Sequence, residues 1–100
     1  MSSKPITRII LDVLMLDGTE HRDIVVTNAD RLKGEATGRR QKWGTLQESQ
    51  QTYTTFWAYA ALVRLGRFTG SFDDFINASE TIDEAGTDTV DPTATATLTD

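Results

Sequence analysis

An α+β fold, an N-terminal β-hairpin followed by about three helices and a disordered C-terminal tail, is what this sequence predicts, and three observations carry that reading. Apolar residues alternate along Ile6 to Leu16 and stop at the turn-forming pair Asp17-Gly18. Beyond Thr27 the apolar spacing changes to the three- and four-residue steps of helices. The chain's 100 residues, 38% hydrophobic and 25% charged, fit one ordinary domain and leave little room for a second.

In the first strand Ile9, Leu11, Val13 and Met15 share one side, with Ile10, Leu14 and Leu16 on the other, so it is buried on one face and partly on the second. Gly18 supplies the positive φ of a tight turn, and Thr19 to Val26 returns as the second strand.

Thr27 is placed to cap a helix, with Asp30 three residues on and facing the positive end of the helix dipole. Ala29, Leu32, Ala36 and Trp43 fall near one face of that helix, and Gly44 is its expected stop. The helix is weak in isolation, because Gly34 and Gly38 each cost about 1 kcal/mol relative to Ala. It holds when docked.

Thr45 to Gln51 is a polar connector with Glu48 entering the next helix, which spans about Ser49 to Leu65 and is apolar almost all round its middle. On a helical wheel Ala58, Leu62 and Leu65 lie to one side and Tyr53, Trp57, Ala60 and Arg64 to the other, with Phe56 and Arg67 at the margin. A chain of this size is not expected to bury both sides. Gly66 is the natural C-terminal cap, beside Arg64 and Arg67. Ser71 with Asp74 repeats the capping box for a third helix, in which Phe72, Phe75, Ile76 and Ser79 have core-facing spacing.

The domain is expected over residues 1–83. From Glu84 to Asp100 the chain is rich in Thr and Asp and poor in large apolar residues, a composition that predicts a disordered tail.

Without Cys, and with one His, the chain has no disulfide, thiolate metal site or Cys nucleophile. The apolar run after the N-terminus is interrupted by Arg8 and Asp12, so neither a signal peptide nor a membrane span is expected, and the protein should be soluble where it is made. Net charge is −5, with acids concentrated toward the C-terminal end and a basic block of Arg31, Lys33, Arg39, Arg40 and Lys42 in the middle. An overall acidic domain is a poor general nucleic-acid binder, an option that only the local basic block keeps open, and no membrane partner is expected.

No catalytic, cofactor or metal site is expected. Asp73 and Asp74 are explained by the first turn of a helix, and Asp17, Asp23 and Asp30 lack the alternating acidic loop of a calcium site. His21 has no nucleophile or second orienting group at a recognisable spacing, and the glycines spell no phosphate loop. Arg39 to Trp43 suits nucleic acid if Trp43 stacks on a base, but the preferred reading is the solvated last turn of a helix, favoured by the dipole, whose Trp packs inward.

The strongest candidate surface is the stripe Tyr53, Trp57, Arg64 and Arg67, with neighbouring Phe56 and Phe68, because Trp, Tyr and Arg are the residues enriched at interface hot spots. Arg stems lying over a core aromatic would produce the same pattern, and both accounts stay open.

The order of these segments resembles one family. Two strands, Thr27-Asn28-Ala29-Asp30-Arg31 opening a helix that closes near Lys42-Trp43-Gly44, then Thr52 to Gly66 with Phe-Trp-Ala-Tyr-Ala-Ala-Leu, then Phe68-Thr69-Gly70-Ser71-Phe72-Asp73-Asp74-Phe75, is similar to the tail assembly chaperones of long-tailed, non-contractile bacteriophages, particularly those of actinobacteria. The likeness covers roughly Ile9 to Ile82 and leaves the tail aside. It implies a non-enzymatic chaperone of the host cell cytoplasm, absent from the finished virion, that coats and solubilises the tape measure protein, brings tail tube protein to it and forms a homo-oligomer. Its self-association and client-binding surface would correspond to the stripe of Tyr53, Phe56, Trp57, Arg64, Arg67 and Phe68. The alternatives are a structural head-tail joining or tail-completion subunit and, further off, a small nucleic-acid-binding regulator using Arg39 to Trp43.

Overall fold

The computed structural model describes residues 6–90. Three antiparallel strands, β1 (Ile6–Met15), β2 (Glu20–Val26) and β3 (Ser79–Val90), form a sheet in the order β2-β1-β3. Helices α1 (Asn28–Gln41), α2 (Gln50–Arg64) and α3 (Phe72–Ala78) come between β2 and β3 in the chain, giving the α+β class that the sequence predicts. The core gathers Leu11, Val13 and Met15 of β1, Ile24 and Val26 of β2, Ala58, Ala61 and Leu62 of α2 and Phe75 of α3.

The hairpin follows from its turn. Gly18 has φ +93°, Thr19 N–H donates to Asp17 Oδ1 at 2.9 Å, and Met15 N–H donates to Thr19 O at 2.8 Å. In the β1–β2 ladder one residue, Asp12, faces two, Arg22 and Asp23; Asp23 takes φ 58° and its N–H donates to Asp12 Oδ1 at 2.9 Å, so the carboxylate satisfies the bulge.

The caps of α1 and α3 are the ones read from sequence. Thr27 with Asp30, and Ser71 with Asp74, each form both halves of a capping box. At the C-terminus of α1 the stop comes before Gly44: Lys42 takes φ 60° and Trp43 N–H returns to Gly38 O at 2.9 Å. Gly66, at φ +75°, closes α2, with Arg67 N–H on Leu62 O at 2.8 Å.

Two elements depart from expectation. Helix α1 was expected to bury Ala29, Leu32 and Ala36; it turns Asp30, Gly34 and Gly38 inward instead, and Leu32 is 55% exposed. The glycines explain the inversion. A Cβ on Gly34 would stand 2.9 Å from Trp57 Nε1, and one on Gly38 would overlap the Tyr53 ring, so two glycines one turn apart give α2's aromatics the room that an apolar face would have filled.

The second departure is β3, a strand absent from the sequence reading. It starts immediately after α3 and pairs along the whole of β1, with Ile82 opposite Val13 and packed on the core. The tail expected to be disordered from Glu84 overlaps this strand, since Glu84 pairs with Leu11 and the ladder runs to Val90 opposite Ile6. Residues 91–100 of that tail lie outside the described residues. In α3, Phe75 is buried as expected, but Ile76 is 46% exposed and Ser79 already belongs to β3.

Candidate partner-binding surface

The stripe proposed from sequence is not one surface. Tyr53, Phe56 and Trp57 are 7%, 7% and 8% exposed: the gap left by Gly34 and Gly38 lets α1 lie against α2 and cover them. Tyr53 is held there by its hydroxyl, which donates to Gly44 O at 2.7 Å. The expectation that the Tyr53 and Trp57 side of α2 stays open is therefore corrected: glycine-mediated close packing of α1 covers it, while Val63 and Leu65 at the end of the helix remain 42% and 45% exposed.

Arg64 is likewise engaged within the chain. Its guanidinium donates to Asp30 Oδ2 at 2.9 Å and Oδ1 at 3.2 Å, and to Val25 O at 3.0 Å, fastening the end of α2 to the start of α1 and the end of β2. Burial pushes the Asp30 carboxyl up, but hydrogen bonds from Arg64 and from the backbone and hydroxyl of Thr27 outweigh it and hold it below its ordinary value. The same hydrogen bond raises the pKa of Arg64. Arg67 is exposed beyond Gly66, while Phe68 is half-buried, 5.3 Å from Phe75 and 6.0 Å from Tyr59 between ring centroids.

What the helices leave open is a cleft of about 600 Å³ between the end of α1 and α3. Trp43, Phe56, Tyr59 and Phe72 line it, with Arg40 and Asp73 also on its walls and Ile76 exposed beside them. The rings brace one another edge to face: Trp43 stands 5.9 Å from Phe56, and Phe56 stands 5.0 Å from Phe72 and 5.6 Å from Tyr59. The Tyr59 hydroxyl donates to Gly70 O at 2.8 Å and fixes its ring. Trp43 leaves the αL cap at Lys42 and packs by its edge on Tyr53 at 5.3 Å, the inward arrangement weighed from sequence. Arg39 meets Glu35 at 3.5 Å and Arg40 reaches Thr37 at 3.5 Å, as cations of a solvated last turn do.

Sequence reasoning included Phe56 but missed Tyr59 and Phe72. The signal was there: Phe56 and Tyr59 lie one helical turn apart, and Phe72 follows the cap residue of α3 directly.

A second groove, of about 440 Å³, runs beside α1, with Arg31, Leu32 and Arg39 on one wall and Leu46 on the other. Trp57 lines its inner side, its Nε1 buried without an acceptor and Arg31 5.7 Å from its ring centroid.

Asp74 is consumed by its cap, with Ser71 N–H on Oδ2 at 3.0 Å, and Asp73 is exposed in the same first turn. His21 sits half-buried in β2 opposite Val13. Among the described residues no three His, Cys, Asp or Glu side chains gather as metal ligands, and no helix is long and apolar enough to cross a membrane. Comparison with family models, with curated proteins and with solved structures returns no match.

Proposed function

We propose that this chain is a non-enzymatic phage tail assembly chaperone, working in the host cytoplasm, that holds a long helical client, the tape measure protein, associates with copies of itself and yields the client to tail tube subunits. The observation that carries the reading is the aromatic cleft between α1 and α3. Braced rings offer large apolar area with little side-chain entropy left to lose, which suits the apolar face of an amphipathic helix laid into a groove. Arg40 on one wall and Asp73 on the other favour a helix with charges of both signs along its flanks. One such cleft binds weakly; many copies along one tether gain avidity. The resemblance in segment order supports the same reading, with the client site moved from the sealed stripe to the cleft.

The test is co-expression with the tape measure protein of the same phage, measuring that protein's soluble fraction. The wild-type chain should raise it and Ile76→Asp, at a residue 46% exposed beside the cleft, should not. No rescue by the wild type, or the chain purifying as a component of assembled particles, would count against a chaperone and favour a structural subunit.

A further inference from the structure

Among the described residues, two faces of this fold are left without cover. The first is the side of the sheet turned away from the helices. Ile10 pairs with Val25 there and Leu14 with Glu20; Ile10, Leu14 and Val25 are half-buried, and Asp12, Glu20 and Asp83 surround Leu14, with Arg22 bound to Glu20 at 2.8 Å and to Asp12 at 3.5 Å and Arg8 on the same side of β1, so that the three acids outnumber the two cations. An apolar sheet face rimmed with charge is half of a layered packing. The second is the outward side of α1. Because Gly34 and Gly38 occupy its inner face, its small apolar stripe of Ala29, Leu32 and the half-buried Ala36 points away from the core, flanked by Lys33, Arg40 and Arg39, the last paired with Glu35 at 3.5 Å, so that the flanks are basic on balance.

These faces carry opposite net charge, basic on α1 and acidic on the sheet. An apolar ridge with basic flanks fits an apolar strip with acidic flanks, and they belong to different layers of the molecule. We propose that α1 of one copy docks on the open sheet face of the next, Leu32 lying over Ile10 and Leu14 while Lys33 and Arg39 meet Glu20 and Asp83. The contact joins two different patches of the same chain, so it is head-to-tail, and successive copies continue into a ring or a helical array. This deepens the self-association in the proposed function and leaves the aromatic cleft free for the client.

Charge reversal on each face, read by sedimentation velocity, tests the pairing. The wild-type chain should sediment as oligomers that dissociate as salt is raised from about 0.05 M to about 0.5 M, because the flanking pairs are screened. Lys33→Glu with Arg39→Glu, and separately Glu20→Lys with Asp83→Lys, should each give monomers with unchanged far-ultraviolet circular dichroism. Mixing the two variants should restore oligomers, since each reversed face then meets a complementary one. A wild-type chain that is monomeric at low salt, oligomers indifferent to salt and to both reversals, or a mixture that stays monomeric would overturn the proposal. Oligomers held by another surface would leave the client-binding reading standing, which the co-expression test judges separately.

Discussion

Arg64 and Asp30, 34 residues apart in the chain, meet through two hydrogen bonds at 2.9 and 3.2 Å with the Asp30 side chain wholly buried. One carboxylate thus caps α1 through Thr27 and anchors the end of α2. Arg64→Ala leaves that charge buried without its partner. It should lower unfolding free energy by about 2 kcal/mol, toward the low end for such pairs because a third of the Arg64 side chain is exposed to water. Arg67→Ala, three residues on and exposed, should stay within about 0.5 kcal/mol in the same urea titration.

The pH dependence follows from the same pair. A carboxylate held low in the folded state binds fewer protons than in the unfolded chain, so stability rises with pH between the two values. The contribution is complete above the ordinary carboxylate pKa of about 3.9 and is lost as pH falls through the lowered folded value. Asp17, held low by hydrogen bonds from Thr19, acts in the same direction. Thermal midpoints measured from neutral pH downward should show an acid-side loss that is shallower in Asp30→Asn, from a lower starting stability.

Gly38→Ala should destabilise the protein although Ala is the better helix former by about 1 kcal/mol. The added Cβ falls on the Tyr53 ring and hydroxyl, which are pinned to Gly44, and overpacking of this kind costs about 1–3 kcal/mol. Gly34→Ala, against Trp57 Nε1 at 2.9 Å, should show a milder loss. Denaturant midpoints of the two variants check the order.

Trp57→Ala should cost about 3 kcal/mol or more in stability, as loss of a buried Trp does, and affect association only through unfolding. Phe72→Ala, at a half-buried ring on the cleft, should lower stability less and client binding more. Calorimetry and client pull-down on both variants separate the two roles.

Local chemistry was legible in the sequence. Asp17-Gly18, Thr27 with Asp30, Ser71 with Asp74, and Gly66 each act within a few residues, and each forms the turn or cap its residue types predict. The alternation in β1 likewise reported its buried side. What depended on distant parts of the chain was not legible. Glycines read as helix weaknesses in α1 turn out to be the space into which Tyr53 and Trp57 fit, so the stripe on α2 looked surplus until the packing of α1 was known. Among its described side chains strand β3 offers one large core-facing residue, Ile82, beside acids and a threonine; it is held by its ladder to β1 rather than by a pattern of its own. The aromatic cleft unites residues from three helices and their connections, a grouping that spacing along one helix does not reveal.

The most direct test of client binding in the cleft is nuclear magnetic resonance of the isotope-labelled chain titrated with overlapping helical peptides of a phage tape measure protein, the proposed client. Seating in the cleft predicts that at least one peptide shifts the signals of Trp43, Tyr59, Phe72 and Ile76 together while the sheet's open face stays unchanged. Shifts confined to other surfaces, or none with any peptide across the tape measure protein, would contradict it.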